Sequence, residues 1–354
     1  METQFVLSSR CAFQASRLSY YPISHLLSKK KTRVALNNRS CCRHSHRGLR
    51  GNVHMEVTTS PKVKKLSHPQ SLLDGAQLFI FDCDGVIWKG DTLISGAKEL
   101  VTQLKSMGKR VYFITNNSTK SRAAYLKKFI SLGLDNVEAE EILSSSYAAA
   151  AYLTSIHFPS KGKKVYVIGE RGIEEELEKH NISFLGGESD KDKFLDMRPG
   201  GKVVQDPQVG AVVVGFDRYI NYYKIQYAQL CLSQNSDCLF IATNLDSVTH
   251  LTDAQEWAGN GAMVGAIRGC TQKEPIVVGK PSSLLIDHVI QKHRLEPNQI
   301  CMVGDRLDTD ILFGKNNGLQ TVLSLSGVTT KETLFSSKII PDYYIQSVAD
   351  LLNK

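Results

Sequence analysis

The segment Leu78-Phe79-Ile80-Phe81-Asp82-Cys83-Asp84-Gly85-Val86-Ile87-Trp88 decides how the rest of the chain is read. Four apolar residues run without a break into two carboxylates spaced one residue apart, with a glycine and further apolar groups behind them. Such a run, with aromatic and β-branched members, predicts a strand buried on both faces of a parallel sheet. Asp82 and Asp84 then stand at its carboxyl end, the edge at which open α/β sheets bind ligands. Residues i and i+2 of an extended chain point the same way, so both carboxylates can face one site while Gly85 lets the backbone turn away. Converging carboxylates repel, and they persist beside a cation or with one of them protonated. The pair therefore reads as a metal site or an acid/base pair, with a plain turn cap as the blander alternative. A calcium loop is excluded: its sixth position would be Ile87 instead of glycine, and its twelfth Leu93 instead of glutamate.

Outward from this strand, Ala97, Leu100, Val101 and Leu104 recur at helical spacing, and Val111-Tyr112-Phe113-Ile114 forms a second apolar run ending in Thr115-Asn116-Asn117-Ser118. Strand, helix, strand predicts a parallel sheet with crossover helices. The polar quartet lies at the same edge as Asp82. It can hold an anion, with the N-terminus of a helix from about Ser121 nearby, or it can simply cap that helix. After Leu143 a second module begins, with helices expected over 146–153, 173–180 and 219–234 and strands over 164–169, 209–216 and 238–242. A polar excursion over 186–206 interrupts it, and its last strand ends in Thr243-Asn244-Leu245-Asp246. At roughly 130 residues this module is large enough for a core of its own.

Two glycine-containing stretches invite nucleotide readings and fail them. Gly259 to Gly265 carries Val264 where a dinucleotide fingerprint needs glycine, so it reads as a glycine turn before a helix. Gly279-Lys280 has Glu274 where a P-loop needs its first glycine, which leaves a lysine after an apolar strand, followed by Pro281. The next apolar run, Ile300-Cys301-Met302-Val303-Gly304, ends in Asp305-Arg306-Leu307-Asp308-Thr309-Asp310. Asp308 reads equally as a helix N-cap or a site residue. The fold class expected is α/β: a doubly wound parallel-sheet (Rossmann-like) core with an inserted α/β cap domain. Its parts are a catalytic core over 72–144 and 278–354, a cap over 145–277, and a linker over 55–71.

The formal charge of +8 over 354 residues is unevenly placed. Up to Met55 the chain carries ten lysines and arginines and a single acid, Glu2, so the remainder is close to neutral. A nucleic-acid partner is excluded on charge, and no apolar run approaches the roughly 20 residues that span a bilayer. Arg-rich, Ser-rich and acid-poor composition marks 1–54 as an organellar transit peptide, with a disordered basic tail as the alternative. Composition alone does not choose between chloroplast and mitochondrion, and Met55 could start a shorter cytosolic form. None of the eight cysteines pairs as C-x-x-C, which removes a zinc site; Cys83 and Cys301 read as core residues.

Four strand ends thus carry Asp82-x-Asp84, Thr115-Asn116, Lys280 and Asp305 to Asp310, with a module inserted between the second and third. This set resembles the haloacid dehalogenase superfamily of phosphatases with a large α/β cap, and within it the plant phosphoglycolate phosphatases and the related p-nitrophenyl and pyridoxal phosphatases. The resemblance covers about Leu72 to Leu352. It implies that Asp82 attacks phosphorus and forms an aspartyl-phosphate. Asp84 would protonate the leaving alkoxide and later deprotonate water. Thr115 and Asn116 would bind the phosphoryl oxygens, and Lys280 would neutralise their charge. Mg²⁺ is the implied cofactor, held by Asp82, Asp305 and the Asp84 backbone carbonyl, with Asp310 ordering those ligands. The activity implied is hydrolysis of 2-phosphoglycolate in the chloroplast stroma, a photorespiratory role. Alternatives are a broader small-molecule phosphatase or, with less support, a regulatory protein on the same scaffold. The implied partners are a small phosphorylated substrate and a second copy of the chain docked through the cap. Substrate choice would rest with the cap edge 243–246 and His250; relatives often carry arginine where this chain has Leu245.

Overall fold

The computed structural model describes residues 63–352 apart from 250 and 253. The expected transit peptide and His250 lie outside the described residues. Seven parallel strands form the larger sheet. Their order is Lys64–Lys65, Tyr343–Ile345, Gln320–Ser324, Ile300–Gly304, Leu78–Asp82, Arg110–Thr115 and Ile142–Ser144. From Leu78–Asp82 the chain winds outward to Ile142–Ser144. It returns at Ile300–Gly304 on the other side and winds out the opposite way. The reversal lies between these two central strands, and in doubly wound sheets the crevice at that point takes the ligand.

The alternation within each strand explains why the centre is apolar throughout. Phe79, Phe81, Val111, Phe113, Cys301 and Val303 face one layer, packed with Leu100, Leu104 and Phe129. Leu78, Ile80, Tyr112, Ile114, Ile300 and Met302 face the other, against Leu153, Ile286, Val289 and Phe313. Both faces are covered by helices, which is why these strands show no polar alternation.

The inserted module contains a second parallel sheet, in the order Ile276–Val277, Leu239–Ala242, Val209–Val214, Lys164–Ile168 and Phe184–Gly186. Its outer face has a core of its own around Tyr166, Val212, Tyr227 and Phe240. Its inner face does not: Val165, Val167, Ala211, Val213 and Ile241 pack into the same cluster as Ile80 and Ile114 of the larger sheet. The alanines of the Ser145–Ser155 helix make this possible, since Ala148, Ala149 and Ala150 belong to that shared cluster.

Three local expectations are corrected. The stretch over 55–71 expected as linker contributes the edge strand Lys64–Lys65 and the first turn of the helix Gln70–Gly75. The strand preceding Lys280 is Ile276–Val277, which pairs with Leu239–Ala242; Lys280 therefore reaches the core from a strand of the inserted sheet. Of the glycines expected as a turn, Gly259 precedes the helix Asn260–Thr271, while Gly261 and Gly265 lie inside it. Gly261 is there because a side chain would meet the carbonyls of Leu245 and Asp246 at 2.9 and 3.0 Å, so glycine lets the helix start against the 243–246 loop.

Candidate active site

The strand Leu78–Asp82 stops at its carboxylate because the next residues fold into a tight turn. The Cys83 carbonyl accepts from the N–H groups of Ile87 and Trp88 at 2.9 and 3.1 Å. Gly85 sits at φ 87°, a left-handed conformation that favours glycine. A side chain there would also meet Asp305 Oδ2 at 2.5 Å. Trp88 anchors the following hairpin by packing edge-on to Phe129, centroids 4.8 Å apart, and its indole N–H donates to Asp84 Oδ1 at 2.8 Å. Asp82 is buried and Asp84 exposed, so the two carboxylates that the sequence places at one strand end have different surroundings.

Asp82 is joined by Lys280, whose ammonium donates to Asp82 Oδ1 at 2.5 Å and to Asp310 Oδ1 at 2.7 Å. Both oxygens of Asp310 are engaged, because Oδ2 accepts from the backbone N–H of Asp305 and of Arg306, each at 3.0 Å. Asp305 lies beside them and accepts from Val328 N–H at 2.7 Å through Oδ2. One ligand atom from each of Asp82, Asp305 and Asp310 falls within 4.8 Å of the others. Asp84 is outside this group.

Three buried carboxylates against one ammonium leave an excess of negative charge in a desolvated place. Burial raises the Asp82 carboxyl well above its ordinary range; Lys280 counters this in part, and Asp310, Asp305 and Asp84 push it further up. Burial and then Asp310 push Asp305 up to about 7. Lys280 stays charged: burial opposes its ammonium, but Asp310 and Asp82 outweigh that and raise its pKa. An oxygen-only donor set with surplus negative charge fits a hard divalent cation such as Mg²⁺. Asp82 and Asp305 each retain an oxygen for it, whereas Asp310 is spent on orienting Lys280 and the backbone after Asp305.

Thr115 is buried at the neighbouring strand end. Asn116 is present too, but its carboxamide is used otherwise than expected. Its Nδ2 donates to the Lys280 carbonyl at 3.2 Å and to Asp246 Oδ1 at 3.0 Å, and its Oδ1 accepts from Lys280 N–H at 2.9 Å. It ties the Lys280 backbone to the 243–246 loop, and that loop ties back through Asn244 Nδ2 on the Asn116 carbonyl at 2.7 Å. The helix N-terminus expected to help hold an anion is also taken. Glu176 Oε1 accepts from Arg122 N–H at 2.6 Å, and Ser121 Oγ, which caps the helix, donates to Glu175 Oε2 at 2.5 Å. Asp308 does not cap its helix; it is exposed and pairs with Arg306 at 3.1 Å.

Sequence reasoning passed over Glu176 and Arg306 as working residues and took in Asp246 only as part of the cap edge 243–246. Asp246 carried a signal, because its loop has the same strand-end polarity as the other motifs. Glu176 sits in an ordinary charged amphipathic helix, and nothing in the sequence distinguishes it from its partly buried neighbours Glu174 and Glu175.

A model described as haloacid dehalogenase-like hydrolase matches residues 79–183, and a second, described as HAD-hydrolase-like, matches residues 277–351. The chain belongs to the haloacid dehalogenase-like hydrolases, and it is a phosphatase. The chloroplastic phosphoglycolate phosphatase 1A of Arabidopsis thaliana is 56% identical over 311 residues, 87% of this chain and 85% of the relative. The glycerol-3-phosphate phosphatase of Homo sapiens is 37% identical over 298 residues, covering 80% and 92%. Among solved structures, the p-nitrophenyl phosphatase from Archaeoglobus fulgidus superposes with a TM-score of 0.66 at 33% identity, covering 78% of this chain and 98% of that one.

Proposed function

We propose that this phosphatase is Mg²⁺-dependent and hydrolyses 2-phosphoglycolate to glycolate and phosphate in the chloroplast, as part of photorespiration. The observation that carries the chemistry is the buried ammonium of Lys280 held between Asp82 and Asp310, beside Asp305. The substrate and compartment are read from the 56% identity to a relative of that name.

Lys280 donates to Asp82 Oδ1, which fixes the carboxylate that attacks phosphorus and supports its charged form. The bond formed is Asp82 O–P, and the bond broken is P–O to the glycolate oxygen. Asp84, exposed and held by Trp88 at one oxygen only, donates its proton to that leaving oxygen. The same carboxylate then takes a proton from water, which attacks the aspartyl-phosphate, returns Asp82 and releases phosphate. A positioned acid of this kind contributes about 10²–10⁴ in rate. Thr115 offers its hydroxyl to the phosphoryl oxygens, and the Lys280 ammonium adds countercharge as negative charge builds. When bound by Asp82, Asp305 and the Asp84 carbonyl, Mg²⁺ supplies the remaining countercharge that lets an anionic nucleophile approach an anionic ester.

A second reading, a broader phosphatase acting on pyridoxal phosphate or p-nitrophenyl phosphate, is favoured by Leu245, which puts an apolar side chain on the cap loop. Steady-state comparison of 2-phosphoglycolate, pyridoxal phosphate and p-nitrophenyl phosphate, with Mg²⁺ and with chelator, separates the two. The expected result is the highest kcat/KM on 2-phosphoglycolate and loss of all activity in chelator. Preference for pyridoxal phosphate would favour the second reading, and activity that survives chelation would remove the metal.

A further inference from the structure

The cluster around Asp82 accounts for the phosphoryl end of a substrate and leaves the other end unread. Lys280 is spent on two carboxylates, and the cap loop presents Leu245, 45% exposed. One guanidinium spans from the core edge to that loop. Arg306 follows Asp305 directly, and its backbone N–H donates to Asp310 Oδ2 at 3.0 Å, so its main chain is fixed to the carboxylate cluster. Its Nη1 reaches across to the Val248 carbonyl at 3.5 Å, and Asp246 is among the charges that act on it. Nε and Nη2 donate to the Asp308 carboxylate at 3.3 and 3.1 Å.

A guanidinium carries five N–H donors. Those contacts use three, so two have no partner among the described residues. The side chain of Arg306 is only 16% exposed, whereas that of Asp308 is 63% exposed. An ion pair whose carboxylate stands in water contributes little, and a carboxylate bound on the sheltered side competes with it on favourable terms.

We propose that Arg306 is a specificity-determining residue that binds the carboxylate of a short carboxylated phosphomonoester, the part that Leu245 cannot play from the cap loop. The inference rests on the 2-phosphoglycolate reading. The planar fork of arginine matches a carboxylate through two parallel hydrogen bonds. Because the Arg306 backbone is tied to Asp310, the distance between the carboxylate and phosphoryl ends of the substrate is set by the core and not by the cap.

The test is kcat/KM of the full chain and of Arg306→Gln and Arg306→Lys on 2-phosphoglycolate and on ethyl phosphate, which has the same phosphoryl group and carbon count without the carboxylate. Arg306→Gln is expected to lose about 10–100-fold on 2-phosphoglycolate and to stay within about 3-fold on ethyl phosphate, the size of one charge-assisted contact. Arg306→Lys should recover part of the loss on 2-phosphoglycolate alone. Equal losses on both esters would make Arg306 a strut between core and cap and overturn the proposal. Should the glutamine variant fail to fold, the lysine variant carries the same requirement of a split between the esters. An unmodified chain with no preference for 2-phosphoglycolate over ethyl phosphate would sink the substrate reading itself; that outcome is read on the unsubstituted protein and is thereby distinct from a failure of Arg306 alone.

Discussion

Lys280 holds Asp82 and Asp310 and neutralises part of a cluster that would otherwise repel itself. Lys280→Met should therefore act twice. Turnover should fall by about 10²–10³, the usual cost of removing one preorganised countercharge. Stability should drop by about 3–5 kcal/mol, because Asp82 and Asp310 would be left buried without their partner. Steady-state kinetics and chemical denaturation on the same preparation check both. Asp305 gives a pH-dependent signature. Its carboxyl is raised from 3.8 to about 7 in the fold, so between about pH 4 and pH 7 the metal-free native state holds a proton that the unfolded chain has released. Stability contributed at this site therefore falls as pH rises through that window. With chelator present, the difference in Tm between about pH 5.5 and pH 7.5 should shrink in Asp305→Asn relative to the unsubstituted chain, and Mg²⁺ affinity should weaken as pH falls below about 7. The sequence made Asp82, Lys280, Asp305 and Asp310 legible because each follows an apolar run. The use of the Asn116 carboxamide was not legible, since a side chain with donors and an acceptor does not announce which partner takes them.

At the scale of elements, the cap is fastened to the core by charge at a helix end. Glu176 is fully buried on the cap helix Arg171–Lys179 and accepts from the N-terminal amide of the core helix Arg122–Ser131, where the helix dipole favours a carboxylate. Glu176→Ala would leave that part-buried amide without its partner at a cost of about 1–3 kcal/mol, measurable by denaturation. Most elements could be read from period and capping: the helix at Ala97 and the strands at Leu78, Val111 and Ile300 lie where the pattern puts them. Elements held by tertiary pairing were not readable. Lys64–Lys65 is a two-residue strand of charged side chains that exists only because Tyr343–Ile345 pairs with it. The helix Asn260–Thr271 carries three glycines, a poor local propensity that packing against the 243–246 loop overrides.

For the whole molecule, the shared cluster around Ile80, Ile114, Val167 and Ile241 makes core and cap one packed body among the described residues. The separate core expected of the insertion holds for one face of its sheet only. Composition shows that a module is large enough to fold and cannot show that its inner face is completed by another sheet. The Asp82 edge and the 243–246 loop are thereby held at a fixed spacing, which suits a small ester. The central claim is that Asp82 takes the phosphoryl group before water does. It is tested most directly by the stereochemical course at phosphorus, using a monoester made chiral with oxygen isotopes. Each in-line displacement inverts phosphorus, so transfer to Asp82 followed by transfer to water predicts net retention; net inversion would mean that water attacks the ester directly and would contradict the account.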